Sequence, residues 1–189
     1  MRFILASASP RRLSLLKQIY ITPDDVIPAD INEDPIPGEL PGPHAERLAS
    51  EKCQAIADRE TEAIILAADT VVGVGRRILP KTETETEASK CLDLLSGRAH
   101  RVFTGIAVYS PDKGLQSRVV ETRVKLKRLS SQEKEFYLNS GEWNGKAGGY
   151  GIQGYAESFI QSLSGSYSNV VGLPLTETRH LLQFHGVGA

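Results

Sequence analysis

The sequence is poor in the residues that would indicate a disulfide framework or a zinc centre. Its 189 residues include two cysteines, Cys53 and Cys91, and four histidines. Both cysteines fall within helix-like stretches, with no second Cys or His at metal-ligand spacing, so we interpret them as small buried hydrophobic residues. Neither a disulfide-stapled fold nor a zinc site is therefore predicted.

An excess of charge of one sign is missing as well. The 22 Lys and Arg residues balance 23 Asp and Glu residues, which gives a formal net charge of −1. A nearly neutral chain has no general field that favours coating a nucleic acid polymer or an anionic membrane. Any anion that this protein binds must therefore be met by local positive charges.

Long hydrophobic runs are also missing. The apolar run at residues 3–6 is too short for a signal peptide, and nothing elsewhere approaches the length of a membrane span. We therefore expect a cytoplasmic protein. With 40% hydrophobic and 24% charged residues, the composition is that of a folded globular chain. We expect residues 1–189 to form a single domain of two lobes without a separable linker.

The hydrophobic pattern predicts strands interleaved with helices and one hairpin. Residues 3–6 and 63–68 are short apolar runs typical of buried strands. Residues 101–109 and 115–126 predict a hairpin, joined by a turn at 111–114. Further elements are a strand at 157–163 and helices at 10–19, 44–58, 84–95, 130–139 and 174–184. The expected fold class is α/β with a mixed sheet.

Small hydroxyl residues and two arginines meet at the start of the first predicted helix. Ser7 and Ser9 precede Pro10, and Arg11 and Arg12 follow it. Free backbone N–H groups and the helix dipole favour an anion at such a helix start, and guanidinium groups bind phosphate oxygens in pairs. The motif suits a phosphate chain, and equally a capped helix with two solvent-facing arginines.

An acid follows directly after the buried strand of residues 63–68. Asp69 is expected to be partly desolvated, which disfavours its charged form unless a cation or metal is close. It therefore suits work as a base or metal ligand, although capping of the next turn is the commoner role. Glu33 lies in the proline-rich acidic loop at 22–43 and gains a role only if it meets Asp69 around a hard divalent cation.

Two lysines and a glycine-rich segment complete the candidates. Lys52 falls on the apolar stripe of its helix and Lys81 follows the Asp69 strand. Both could contact phosphate oxygens, although Lys52 could instead extend to water. Six glycines within residues 141–154 predict a bent backbone or the close approach of a ligand. Their spacing matches neither a Walker A loop nor a dinucleotide turn, and Gln153 could recognise a base through its amide.

The informative blocks lie at residues 5–12, Glu33, 47–52, 67–72, 95–105, 146–154 and 165–174. Taken together and in this order, they resemble the Maf family of nucleoside triphosphate pyrophosphatases. Each block alone is unspecific, whereas the ordered set covers nearly the whole chain. The sequence departs from the usual family pattern at Cys53, where Ala is usual, and at Thr82, where Pro is usual.

The resemblance implies an elongated mixed sheet with helices on both faces and two lobes around a cleft. It also implies a metal-dependent hydrolase, with Mg²⁺ or Mn²⁺, that releases pyrophosphate from a nucleoside triphosphate and is often a homodimer. Asp69 would be the proton acceptor, and Arg11, Thr70 and Gln153 would tune the base preference. The loop at 150–154 resembles the branch acting on dTTP and UTP, whereas the branch acting on 7-methyl-GTP carries a Ser- and Glu-containing loop.

We therefore predict that Asp69 activates water for attack on the α-phosphorus, and that Glu33 with Asp69 holds the metal. The triphosphate would be bound by Ser7, Ser9, Arg11, Arg12, Lys52 and Lys81. Two alternatives remain open: a pyrophosphatase that prefers modified nucleotides, and a nucleotide-binding regulator of septum formation. The strands around residues 119–126 are a candidate dimer interface, or an ordinary sheet edge.

Overall fold

The computed structural model describes residues 1–188, which form a seven-stranded mixed sheet and six α-helices. The strands are β1 (Arg2–Leu5), β2 (Asp25–Val26), β3 (Ala63–Val74), β4 (Arg77–Leu79), β5 (Ala99–Ser110), β6 (Gly114–Leu126) and β7 (Ile160–Ser164). The helices are α1 (Pro10–Gln18), α2 (Pro41–Ala57), α3 (Glu85–Leu95), α4 (Ser131–Ser140), α5 (Tyr167–Val171) and α6 (Leu175–Phe184). A 3₁₀ turn at Tyr155–Phe159 precedes β7.

The sheet is built around three long strands. Its order is β2-β1-β3-β5-β6-β7, and β4 pairs with the end of β3. β1 pairs in parallel with β2 and β3, whereas β4, β5, β6 and β7 join the sheet in antiparallel pairs. The parallel pairs follow crossover connections that contain α1 and α2. Among the antiparallel pairs, β3–β4 and β5–β6 are hairpins, whereas α3 precedes β5 and α4 precedes β7.

Helices cover both faces of the sheet. Ile65 and Ala67 of β3 point towards α2 and belong to a small apolar cluster with it. Leu66 and Ala68 point to the opposite face, where a larger core is shared with α1, α3, α5 and α6. A strand covered on both faces needs apolar residues at every position, which explains why β3 shows no alternation in sequence. The predicted fold class is confirmed.

One predicted boundary needs correction, and one short helix was not predicted. Residues 157–163 were expected to form one strand, but the chain first makes the 3₁₀ turn and enters β7 only at Ile160. Helix α5 was not predicted, because five residues are too few for a helical period to be visible in the sequence. The capping box predicted at Ser130 and Glu133 is present. That the chain is one domain without a separable linker stays a prediction.

The strand pair proposed as a dimer interface is partly covered. Residues 123–126 of β6 pair with β7, whereas residues 114–122 have β5 as their strand neighbour. Only residues 114–122 of β6 can therefore act as a sheet edge. The homodimer stays a prediction. Within residues 1–188, no helix combines the length and the hydropathy needed to cross a bilayer.

Gly105 lets α2 lie directly on β5. A Cβ atom at this position would come within 2.1 Å of the carbonyl oxygen of Ala45 in α2. Neither backbone can move away cheaply, because α2 packs along β3, β5 and β6. The close contact between helix and sheet therefore depends on the missing side chain.

We expect Gly105→Ala to lower the free energy of unfolding by about 1–3 kcal/mol or more, as overpacking does. Urea unfolding followed by circular dichroism measures the change. Gly42→Ala is the matched control, because its Cβ atom would lie 3.4 Å from Phe103, an ordinary contact, and Ala favours a helix over Gly. Equal stability of the two variants would contradict this account of the helix contact.

Candidate active site

The site lies where β3 changes its neighbour. β3 pairs with β1 up to Leu66 and with β4 from Val72 onwards, while β5 accompanies its other edge. Among the described strands, only β5 pairs with residues 67–71. The prediction that Asp69 follows the end of the strand is therefore wrong. Asp69 lies within β3, in the stretch whose second edge is left open between β1 and β4.

A cavity of about 360 Å³ occupies this opening, a size that suits a small-molecule ligand. Of the predicted site residues, the cavity lining includes Ser7, Ser9, Arg11, Arg12, Glu33, Lys52, Thr70, Lys81 and Gln153. Asp69 is only 1% exposed and lies behind this lining. The fold thus gathers residues that are up to 146 positions apart, from Ser7 to Gln153, around one space.

Two lysines and two carboxylates alternate at the wall of the cavity. The Nζ atom of Lys52 lies 2.6 Å from Oδ1 of Asp69 and 2.5 Å from Oε1 of Glu33. Lys81 pairs with Oε2 of Glu33, and its Nζ atom lies 3.4 Å from Oδ1 of Asp69. Lys52 does not extend to water, because it is 7% exposed and turned to these acids. These contacts with two carboxylates explain why a lysine is buried on the apolar stripe of α2.

Glu33 is held as an anion by this arrangement. Burial opposes its ionisation, but the hydrogen bonds and charges of Lys52 and Lys81 outweigh burial and lower the pKa of Glu33 to about 2. Lys52 and Lys81 bridge Glu33 and Asp69, and a metal ion held by the two carboxylates stays a prediction. The second oxygen of Asp69, Oδ2, is buried and accepts no hydrogen bond.

Arg12 is positioned by three neutral acceptors. Its Nε atom donates to the carbonyl of Gly172 at 2.9 Å, Nη1 donates to Oγ of Ser7 at 3.0 Å, and Nη2 donates to Oγ1 of Thr70 at 3.3 Å. Burial lowers the pKa of Arg12 below its ordinary value. The alternative of a solvent-facing arginine is wrong for Arg12, whose charge remains available to an anion in the cavity.

Ser9 is the residue before α1, as predicted, and Pro10 is its first residue. The hydroxyl of Ser9 makes no capping bond, however, and its N–H donates instead to Oγ of Ser7 at 3.2 Å. Arg11 lies one position into the helix, and burial lowers its pKa. At the start of α1, Arg12 is therefore held by hydrogen bonds, whereas the side chain of Arg11 forms none within residues 1–188.

Lys146 is a cavity residue that the prediction did not include. Burial and the nearby charge of Arg11 lower the pKa of Lys146. A Cβ atom on Gly151 would lie 2.7 Å from Cε of Lys146 and 3.0 Å from Nε2 of Gln153. Gly151 therefore lets the lysine pass beside the amide of Gln153. The only sequence signal was a lysine at the start of the glycine-rich block.

The unusual Thr82 ties the Lys81 segment to the glycine-rich segment. Its N–H donates to the carbonyl of Lys146 at 3.1 Å, and its hydroxyl donates to the carbonyl of Trp143 at 2.7 Å. A proline could make neither bond, because it has no N–H and no hydroxyl. Lys81 also forms a bridge with Ala147. The segment that carries Lys81 and the segment that carries Gln153 thus form one structural unit.

Arg47 fastens the acidic loop to α2. Its Nε and Nη2 atoms donate to the two carboxylate oxygens of Glu39 at 2.7 and 2.9 Å, and Nη2 also donates to the carbonyl of Asp34 at 3.1 Å. His44 lies 2.8 Å from the same carboxylate. The bond to Asp34 holds the residue that follows Glu33 in the chain. The sequence carried no signal for this group, because a local pattern does not show which residue an arginine binds across a loop.

The donor set is compatible with a divalent cation. In the described part of the chain, no group of three or more His, Cys, Asp or Glu side chains forms a metal cluster. Mg²⁺, however, is often held by one or two carboxylates together with substrate phosphates. Glu33 and Asp69 provide two carboxylates, and Oδ2 of Asp69 is free of hydrogen bonds. The residues therefore fit a cation that a bound phosphate helps to coordinate.

The charge of the cavity lining is of the kind found in proteins that bind small polyanions. Of the residues that the structure describes, five cationic ones line the cavity beside one carboxylate, Glu33. Residues 2–185 match the family model described as Maf-like protein. The chain belongs to the Maf family, which confirms the resemblance seen in the sequence blocks.

Several relatives support this assignment. The chain is 65% identical to the dTTP/UTP pyrophosphatase of Maricaulis maris over 181 residues, which cover 96% of this chain and 86% of the relative. It is 59% identical to the dTTP/UTP pyrophosphatase of Caulobacter vibrioides, with 95% and 93% covered. A solved nucleoside-triphosphatase / dITP/XTP pyrophosphatase from Mycobacterium abscessus shares the fold, with a TM-score of 0.50, 15% identity, and 98% and 94% coverage.

The group formed by Glu39, Arg47 and His44 predicts how stability depends on pH. Hydrogen bonds from Arg47 lower the pKa of Glu39 from 4.5 to about 2, although burial opposes this. Because the folded pKa is depressed, the stabilisation is complete above about pH 4.5 and is lost as the pH falls towards 2. We expect Glu39→Gln to lose about 1–3 kcal/mol of unfolding free energy at neutral pH and progressively less in acid.

Urea unfolding across this pH range measures the difference between the parent protein and the variant. Glu62→Gln, at an exposed position, is the control and should follow the parent at every pH. A constant difference between Glu39→Gln and the parent down to low pH would show that the carboxylate charge is not what stabilises the loop.

Proposed function

We propose that the protein hydrolyses dTTP and UTP to the nucleoside monophosphate and pyrophosphate. The observation that carries the proposal is the contact of Asp69 with Lys52 and Lys81 at the wall of a cavity rich in cations. An acid and several cations around one space are what hydrolysis of a triphosphate requires. The printed name of the 54–65% identical relatives, dTTP/UTP pyrophosphatase, supports the choice of substrate.

Binding of the triphosphate is a competition for the lysines. Lys52 and Lys81 are paired with Glu33 and Asp69 while no anion is bound. A triphosphate carries more negative charge than one carboxylate, so its oxygens can replace Glu33 and Asp69 as partners of these ammonium groups. Arg12, which is already positioned, also attracts the triphosphate. The cations then neutralise the charge that develops as the bond to pyrophosphate breaks.

Release of the lysines leaves Asp69 with free oxygens. Asp69 then accepts a proton from a water molecule whose oxygen attacks the α-phosphorus. The new bond joins water oxygen to phosphorus, the bond from the α-phosphorus to the bridging oxygen breaks, and pyrophosphate leaves. Glu33 and Asp69 would hold a divalent cation, Mg²⁺ or Mn²⁺, which polarises phosphate oxygens and offsets their charge when bound.

We assign base selection to Gln153, which lines the same cavity. Gln153 offers both hydrogen-bond donors and an acceptor through its amide, which matches the alternating carbonyl and N–H groups of a uracil or thymine edge. Arg11 and Thr70 line the same cavity. A guanine base is larger and presents a different pattern of donors and acceptors, so it is expected to be a poor substrate.

Asp69→Asn tests the reaction. We expect it to lower kcat for UTP by about 10²- to 10⁴-fold or more, because a positioned base contributes that much. Monophosphate and pyrophosphate are measured with each nucleoside triphosphate in the presence of Mg²⁺ or Mn²⁺, and EDTA should abolish their release. Asp93→Asn, at a position with a 66% exposed side chain, is the control. Near-full turnover by Asp69→Asn would remove Asp69 from the reaction.

Gln153→Glu tests the base preference. The substitution replaces an amide donor by a carboxylate that can only accept, so a base carbonyl that met the amide loses its partner. We expect kcat/KM for UTP and dTTP to fall relative to that for GTP. An unchanged ratio of kcat/KM values would place Gln153 outside the base pocket, even if all rates were reduced together.

The same screen separates the two alternatives. A preference for pseudouridine or 5-methyl pyrimidine triphosphates over UTP and dTTP would favour a role in removing modified nucleotides. Nucleotide binding without product release would favour a regulator of septum formation. A homodimer and a cytoplasmic location stay predictions that rest on the sequence and on the family resemblance.

A further inference from the structure

Arg12 is the first member of a chain of hydrogen bonds that ends deep in the protein. Its Nη2 atom lies 3.3 Å from Oγ1 of Thr70, which lies 2.9 Å from Oγ1 of Thr104 on the neighbouring strand β5. Oγ1 of Thr104 lies 2.9 Å from the backbone carbonyl oxygen of Asn169 in α5. Thr104 and Asn169 are both fully buried, so water does not compete for these bonds.

The two ends of the chain determine the direction of every hydrogen bond within it. The carbonyl of Asn169 can only accept, so the hydroxyl of Thr104 must donate to it. That hydroxyl has one proton, and its oxygen must therefore accept the proton of Thr70. The hydroxyl of Thr70 is thereby committed to Thr104, and its oxygen turns lone pairs to the guanidinium of Arg12, which can only donate.

The far end of the chain is firmly anchored. The side-chain amide of Asn169 donates to the carbonyl of Val102 at 3.1 Å and to Oγ1 of Thr122 at 3.0 Å. Gly172, the residue that follows α5, accepts a hydrogen bond from Arg12 directly through its carbonyl. Arg12 is thus attached at two points to the same short segment, once directly and once through the two threonines. A guanidinium held in this way has little freedom to turn.

We propose that Thr104 is a positioning residue for Arg12. It does not touch the cavity, whose lining includes Thr70 and Arg12. It acts by committing the hydroxyl proton of Thr70, so that Thr70 offers Arg12 an acceptor and never a competing donor. The guanidinium is thereby oriented before a triphosphate arrives, which reduces the ordering needed on binding. The effect on turnover rests on the proposed function, whereas the orientation of Arg12 does not.

Thr104→Val removes the hydroxyl and keeps the shape of the side chain. Thr70 then loses its acceptor, and we expect the exchange of the Arg12 Nε–H proton with solvent, followed by NMR, to become faster. We also expect kcat/KM for UTP to fall by about 5- to 100-fold, the range for a buried polar group that loses its partner. Thr104→Ser keeps the hydroxyl and should restore both quantities.

Thr178→Val is the matched control. Thr178 is fully buried like Thr104, but its hydroxyl makes no hydrogen bond, so its removal should change neither proton exchange nor kcat/KM. The double variant Thr70→Val/Thr104→Val should be no worse than Thr70→Val alone, because the two hydroxyls act in series.

Three outcomes would overturn the proposal: unchanged Arg12 Nε–H exchange in Thr104→Val, failure of Thr104→Ser to restore it, or additive effects in the double variant. If the unmodified protein released pyrophosphate from no nucleotide, the proposed function would fail. The proton exchange of Arg12 would still decide the role of Thr104, so the two failures can be told apart.

Discussion

The buried pair of Lys52 and Asp69 is the interaction on which the site depends. Their contact of 2.6 Å is shielded from water, and removing one partner of such a pair typically costs about 3–5 kcal/mol because the other charge stays buried alone. The protein thus places a cation directly against an acid that is buried inside the sheet. In the reaction that we propose, a phosphate attracts the same cation away, so that substrate binding and release of the acid would be one event.

The sheet supplies the space for this exchange. β3 is long enough to pair with β1 at one end and β4 at the other, and the gap between these neighbours opens beside Asp69. Side chains on successive strand positions point to opposite faces. Asp69 therefore faces α2 and its lysine, while Thr70 faces α1 and its arginine. Two adjacent residues of β3 thus contact cations on opposite faces of the sheet.

Much of the supporting structure consists of backbone carbonyls and hydroxyls, not of further charges. Arg12 is oriented by neutral acceptors, and Thr82 connects the Lys81 loop to the glycine-rich segment. Neutral partners orient a cation without cancelling its charge, which leaves the cation attractive to an anion. The loop carrying Glu33 is held differently, by the ion pair of Arg47 with Glu39, at some distance from the reacting groups.

The sequence by itself determined the longer strands and helices and their order, because hydrophobic periodicity and capping residues act locally. It did not reveal the short elements β2, β4 and α5. It also determined which chemistry is available, since ordered blocks such as residues 5–12 and 146–154 identify the family. Only the tertiary structure decided that Asp69 lies within a strand, that Lys146 lines the same cavity as Arg11, and that Thr104 forms a hydrogen bond with Thr70. These relations join residues that are distant in the chain, and they arise from strand pairing and packing, for which a local pattern carries no signal.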